Sequence, residues 1–189
     1  PAATLQRPPA ADDAAVQAIA AAIRSGGRTA ILLGGAALRE ASLQTAARIA
    51  AHSGVKLYAE TFPTRMERGA GVPGIERLAY LAEMASLQLK NCDRLILVDC
   101  KAPVSFFAYP GKKSYLAPED CVVQELSSPA QDAGASLRKL AMALGADNVA
   151  PAPAPASRPA APRGKKLTAE KVCKAVGHLL PENAILVDE

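Results

Sequence analysis

The sequence predicts an α/β domain: a doubly wound, mostly parallel sheet with helices on both faces. Two observations carry the expectation. Short, continuous apolar runs such as Thr29–Leu33 and Arg94–Val98 are bounded by turn residues, as strands covered on both faces require. They alternate with stretches whose apolar residues recur at helical spacing, which points to strand–helix–strand units rather than separate layers.

Asp12 and Asp13 offer an N-cap, and Val16, Ile19, Ala20 and Ile23 fall on one face of the first helix, which Gly26 and Gly27 stop. The run Thr29–Leu33 leads through Gly34 and Gly35 into a helix marked by Leu38, Ser42, Thr45, Ala46 and Ile49 and ending near Gly54. Residues 55–59 form the next strand, and the helix between the two makes a strand–helix–strand unit with a right-handed crossover and parallel strands. A Gly/Pro-rich loop, 62–74, precedes a helix predicted from about Glu76 to Lys90. Arg94–Val98 is the third strand, a long loop covers 99–120, and residues 121–126 form the fourth strand. Leu137, Leu140, Ala141 and Leu144 then line one face of a further helix.

Composition changes at residue 149. Residues 149–166 hold five prolines among many alanines and read as an extended spacer. Four segments follow: an incoming linker (1–11), a central α/β domain (12–148), the Pro/Ala linker (149–166) and the truncated start of a C-terminal domain (167–189). In the last, Thr168 caps a helix with Val172, Val176, Leu179 and Leu180 inward, and residues 184–187 start a buried strand. One helix and one strand cannot cover their own apolar faces.

Composition excludes several functions. Half of the 189 residues are apolar and 21% charged, ordinary values for a globular chain. Aromatics are 4% and Trp is absent, so the core is built from Ala, Val, Ile and Leu. The net charge of +4 comes partly from Arg163, Lys165 and Lys166. No recognition motif or aromatic platform accompanies them, so a solvated linker is expected and nucleic acid is not. No apolar run approaches the ~18 residues of a membrane span and no signal peptide is visible, so a cytoplasmic location is expected. Cys92, Cys100, Cys121 and Cys173 form no C-x-x-C pair and lie far from His52 and His178, so no metal ligand is assigned. Buried, reduced thiols are expected instead.

In open parallel sheets, ligands gather at the carboxyl ends of strands. The candidates there are Gly34 and Gly35, whose amides could approach a phosphate, and Glu60, placed to accept from a ribose hydroxyl. Arg65 and Arg68 could clamp a phosphate or tether their loop to a neighbouring domain. G-x-G-x-x-G is incomplete, since Leu38 stands where its third glycine belongs, and a tight turn alone would also select glycine. Phe106, Phe107 and Tyr109 form either a partner surface or a ring-stacking wall, or lie buried under their loop, which is the favoured expectation. No Ser/His/Asp set, G-x-S-x-G elbow or Walker A segment is present, so no catalytic residue is assigned.

Arg28-Thr-Ala-Ile-Leu-Leu-Gly-Gly35, Glu60-Thr-Phe-Pro-Thr-Arg-Met-Glu-Arg-Gly-Ala-Gly71 and Arg94–Val98, followed by the proline-rich linker and Glu182-Asn-Ala-Ile-Leu-Val-Asp-Glu189, carry a resemblance. In these residues and their order the chain resembles the central domain of thiamine-diphosphate-dependent enzymes of the acetolactate synthase, benzoylformate decarboxylase and pyruvate decarboxylase group. The resemblance implies a parent enzyme of three α/β domains that acts on 2-keto acids as a homo-oligomer. Thiamine diphosphate and magnesium would be held by flanking domains outside this chain, which would not catalyse alone. Its role would be structural, orienting those domains and helping form the oligomer. Central domains of the group bind FAD in some members, an adenine nucleotide in others, and nothing in several. Residues 99–107 depart from the G-A-R-F-D-D-R-like segment of FAD-binding synthases, which speaks against FAD and against acetolactate synthesis. The alternatives are a stand-alone nucleotide-binding module (FAD, ADP or CoA) and, less well supported, a scaffold that docks through its proline-rich segment.

Overall fold

The structure, a computed structural model, describes residues 6–108, 110–151 and 157–187. Tyr109, part of each linker expectation and the last two residues lie outside these. The chain divides into two units, residues 1–154 and 155–189.

The first unit is built on five strands: β1 (Thr29–Leu33), β2 (Lys56–Ala59), β3 (Glu76–Arg77), β4 (Arg94–Val98) and β5 (Val122–Ser127). They lie in the order β3-β2-β1-β4-β5, and every pairing is parallel. The helices are α1 (Asp13–Arg24), α2 (Glu40–Ser53), α3 (Ala82–Leu89) and α4 (Ala133–Leu144), with a short 3-10 turn over Gly35–Leu38. Local chemistry sets their ends. Asp12 Oδ1 accepts from the Ala15 amide at 2.7 Å, and Asp132 Oδ1 accepts from the Ala135 amide at 2.8 Å. Gly54 and Gly145 close α2 and α4 in the left-handed conformation, at φ 71° and 76°.

Alternation along the strands separates two cores. Ile31, Leu33, Ile96 and Val98 face α1, α2 and α4, and meet Val16, Ile19, Leu43, Ile49, Leu137 and Leu140. Ala30, Leu32, Leu95 and Leu97 face the other way, onto Tyr58, Leu78 and Leu89. The helices thus lie on both faces as expected, but three cover one face and only the eight-residue α3 covers the other.

The predicted helix over 76–90 is corrected. Glu76 and Arg77 pair with Tyr58 and Ala59 as a fifth strand, and the helix starts only at Ala82. An extended segment places Ile75 in one core and Leu78 in the other, opposite sides that one helical turn could not reach. The freed backbone is satisfied: Leu78 N donates to Ala59 O, and Ala79 N donates to the Gln88 side chain, both at 2.9 Å.

At the amino-terminal end of the two central strands, Arg28 and Asp93 tie the start of β1 to the start of β4. The Arg28 backbone amide and Nη2 donate to the Asp93 carboxylate at 2.8 and 2.7 Å. Those bonds hold the Asp93 carboxyl down at about 2 against an ordinary 3.8. Stability from a lowered carboxylate is present above its unfolded value and lost as pH falls through the folded one. Acid unfolding of the native chain is therefore expected to steepen between those two values, and Asp93→Asn to flatten that segment of a stability–pH profile.

Cys92 and Cys100 are buried, and burial pushes the Cys100 thiol up to about 12. Cys121 is half-buried. Cys173 is exposed, which corrects the expectation of burial for it.

In the second unit, α5 (Ala169–Leu179) is capped by Thr168, whose hydroxyl accepts from the Lys171 amide at 3.3 Å. Residues 157–162 run beside it: Arg158 Nη2 donates to Leu180 O, and His178 Nδ1 sits 2.9 Å from Pro159 O. Two expectations are corrected. Residues 184–187 pair with no strand, since the described unit offers none, and Ile185, Leu186 and Val187 are exposed. Val172, Val176, Leu179 and Leu180 are not inward either. They are exposed and line an open groove of about 510 Å³ with Pro162 and residues 164–167.

Candidate functional site

In strand order, β1 is flanked by β2 and β4, so the chain winds away in opposite directions from the β1–β4 seam. The crevice at the carboxyl end of that seam is the customary ligand position of such sheets. Gly34 closes the seam by donating its amide to Val98 O at 3.0 Å. A Cβ on Gly34 would stand 2.5 Å from Glu60 Oε1 and 2.7 Å from both Asp99 O and Cys100 Cβ. Gly35 has φ +43°, and a Cβ there would stand 2.4 Å from Asp99 Oδ2. Both positions are glycine because the chain's own groups crowd the turn.

The same groups use the amides. Gly35 N donates to Glu60 Oε1 at 3.2 Å, and Ala36 N donates to Asp99 Oδ2 at 2.7 Å. Asp99 is held in the left-handed region at φ 54°, a conformation that Asp tolerates better than most residues. Burial pushes the Glu60 carboxyl up, the Gly35 amide pulls it partly back, and the Asp99 charge raises it further. The crevice is therefore acidic, and a phosphate entering it would meet carboxylates where free amides were expected.

A raised carboxyl contributes stability below its unfolded pKa that is lost as pH rises through the folded value. Glu60→Gln keeps an acceptor for the Gly35 amide and removes the charge beside Asp99. It is expected to raise the melting temperature at neutral pH, with the gain shrinking as pH falls and native Glu60 takes up its own proton.

Gly34, Gly35 and Glu60 are thus brought together. Arg65 and Arg68 are engaged within their own loop. Arg65 Nη2 and Arg39 Nη1 each lie 3.7 Å from Glu67 Oε1, while Glu67 Oε2 accepts from the Glu40 amide at the start of α2. Arg68 Nη2 donates to Met66 Sδ at 3.5 Å. Among the described residues, no hydrogen bond or ion pair joins either arginine to the crevice.

A second feature lies on the loops after β2, β3 and β4. Phe62, Tyr80, Phe106 and Phe107 pack ring against ring, with centroids 5.0–5.8 Å apart in tilted or edge-to-face pairs. They are 46–63% exposed, which corrects the expected burial of Phe106 and Phe107. Sequence reasoning missed Asp99, Phe62 and Tyr80. The available signal was position: each stands within three residues of a strand's carboxyl end.

No family model matches the chain. Solved structures share its fold. A Mycobacterium smegmatis protein provisionally described as a thiamin diphosphate-dependent enzyme superposes with a TM-score of 0.58 at 20% identity, over 84% of this chain and 34% of that one. The Rhodococcus jostii thiamine diphosphate-dependent 4-hydroxybenzoylformate decarboxylase gives 0.58 at 15% identity, over 88% and 33%. A Mycobacterium tuberculosis protein, provisionally named acetolactate synthase large subunit, is 48% identical over 171 residues. The chain is thus similar in sequence to part of a protein provisionally named acetolactate synthase large subunit, and in fold to part of two thiamine-diphosphate-dependent enzymes. The match to the curated relative covers 90% of this chain but 33% of that protein, so the chain spans about a third of its length. Among the described residues, no group of three or more His, Cys, Asp or Glu is placed to hold a metal ion. No described helix is long and apolar enough to cross a membrane.

Proposed function

We propose that this chain is the central α/β portion of a thiamine-diphosphate-dependent enzyme acting on 2-keto acids. The observation that carries the reading is the 48% identity across 90% of the chain to one third of a protein named acetolactate synthase large subunit. In this reading the chain orients the flanking portions of the polypeptide and contributes to the homo-oligomer, and catalysis takes place elsewhere. The residues present do not fit a diphosphate: the amides at the seam bond Glu60 and Asp99, whose charges would repel it. The cofactor and its magnesium are therefore assigned to parts of the enzyme outside these residues. Substrates of 2-keto acid type follow from the names of the relatives.

A nucleotide at Gly34, Gly35, Glu60, Arg65 and Arg68 is the second reading, and it requires Glu60 and Asp99 to give up the Gly35 and Ala36 amides. Its support is the placement of Glu60 at the β1–β4 crevice, where a carboxylate can accept from sugar hydroxyls. FAD, ADP, CoA and NAD are to be compared by thermal shift. Ligand at a hundredfold excess over a micromolar constant adds about 2.7 kcal/mol, which such a scan resolves; no shift with any of them removes the reading.

For the leading reading, the full-length enzyme supplied with thiamine diphosphate and magnesium is expected to release carbon dioxide from members of a 2-keto acid panel, and residues 1–189 alone to release none. No turnover of any member by the cofactor-loaded enzyme would count against it.

A further inference from the structure

The two faces of the first unit's sheet are finished unequally. The face under α1, α2 and α4 is closed. The other is covered by α3 alone, and α3 is apolar on both of its sides. Ala85 and Leu89 are buried inward, while Met84 and Leu87 are 56% and 60% exposed outward. Beside its polar Glu83, Ser86 and Gln88, this short helix thus leaves two large apolar side chains uncovered by the described residues. Its outward stripe continues through Leu81 to Tyr80, which touches Phe62, Phe106 and Phe107. Four of the chain's seven Phe and Tyr side chains therefore form one exposed ring cluster, and exposed Leu81, Met84 and Leu87 follow Tyr80 along the chain. Contiguous patches of this kind mark contact surfaces.

We infer that this surface, Phe62, Tyr80, Leu81, Met84, Leu87 and Phe106–Phe107, is the seat of another part of the same polypeptide in the full-length enzyme. The inference rests on the function proposed above and names the contact through which the chain orients its neighbours. One observation selects this occupant over a second copy. The chain corresponds to a third of its relatives' length, so about two thirds of a full-length relative is available to cover the surface.

Hydrogen exchange of the full-length enzyme, compared with residues 1–189 and followed over a dilution series, tests this. Amides of residues 80–89 and 104–108 are expected to exchange about tenfold more slowly in the full-length enzyme, independent of concentration. Protection that vanishes on dilution would assign the surface to a second copy, and equal exchange in both proteins would leave it uncovered; either overturns the inference. Met84→Lys adds a check free of folding defects, because lysine and methionine are comparable helix formers. It should leave the exchange of residues 1–189 unchanged and abolish the extra protection in the full-length enzyme. Thiamine diphosphate binding, measured on the same samples by calorimetry, reports on the proposed function separately. Binding without protection sinks only the contact, and protection without binding sinks only the cofactor assignment.

Discussion

Replacing Gly34 with alanine is expected to cost about 2–3 kcal/mol of stability, the upper part of the range for overpacking a filled site. For a unit of this size that corresponds to a melting temperature lower by roughly 6–10 °C. The cause is steric rather than conformational, since Gly34 has ordinary extended dihedrals, φ −137° and ψ −176°. Its added methyl would strike Asp99 O and Cys100 Cβ at 2.7 Å, and both belong to backbone-anchored positions at the end of β4 that cannot swing aside. Gly35→Ala makes the informative comparison. There the obstacle is the Asp99 carboxylate, which can rotate at the cost of its bond to the Ala36 amide, but φ +43° adds strain. Thermal melts of the two variants separate these causes. A Gly34→Ala protein that melts with the wild type would show that the turn is looser than described.

Ile96→Ala is expected to cost more, about 3–4 kcal/mol, within the range for deleting most of a buried aliphatic side chain. Ile96 is fully buried at the middle of β4, between Ile31 of β1 and Gln124 of β5, and belongs to the core that binds three helices to the sheet. With helices already fixed on that face, little can relax into the void. Val122→Ala at the edge strand provides the contrast. Val122 is 54% exposed, and its truncation should stay within about 0.5 kcal/mol. Urea unfolding at a constant slope reads both. Equal losses at the two sites would contradict the two-core arrangement.

Much of the fold was legible because its signals are local. Continuous apolar runs fixed β1 and β4, and spacing within α1, α2 and α4 named residues that prove to be buried. What escaped was non-local. Glu76 and Arg77 carry no strand signal, and they pair because Tyr58 and Ala59 offer an open edge and because Ile75 and Leu78 must enter opposite cores. The exposure of α5 was illegible for the opposite reason. Its amphipathic spacing was read correctly, but spacing states which face wants cover, not whether the described residues supply it. At the crevice the glycines and Glu60 were found by position. The reversal from a phosphate cradle to an acid-filled turn depends on Asp99, which reaches back across 63 residues to the Ala36 amide. No local pattern encodes such a contact.

Calorimetric titration of thiamine diphosphate with magnesium, into the full-length enzyme and into residues 1–189 in parallel, most directly tests the central claim that this chain frames a cofactor held elsewhere. Saturable binding by the full-length enzyme with none by the shorter chain is the predicted result. Binding by residues 1–189, or by neither protein, would contradict it.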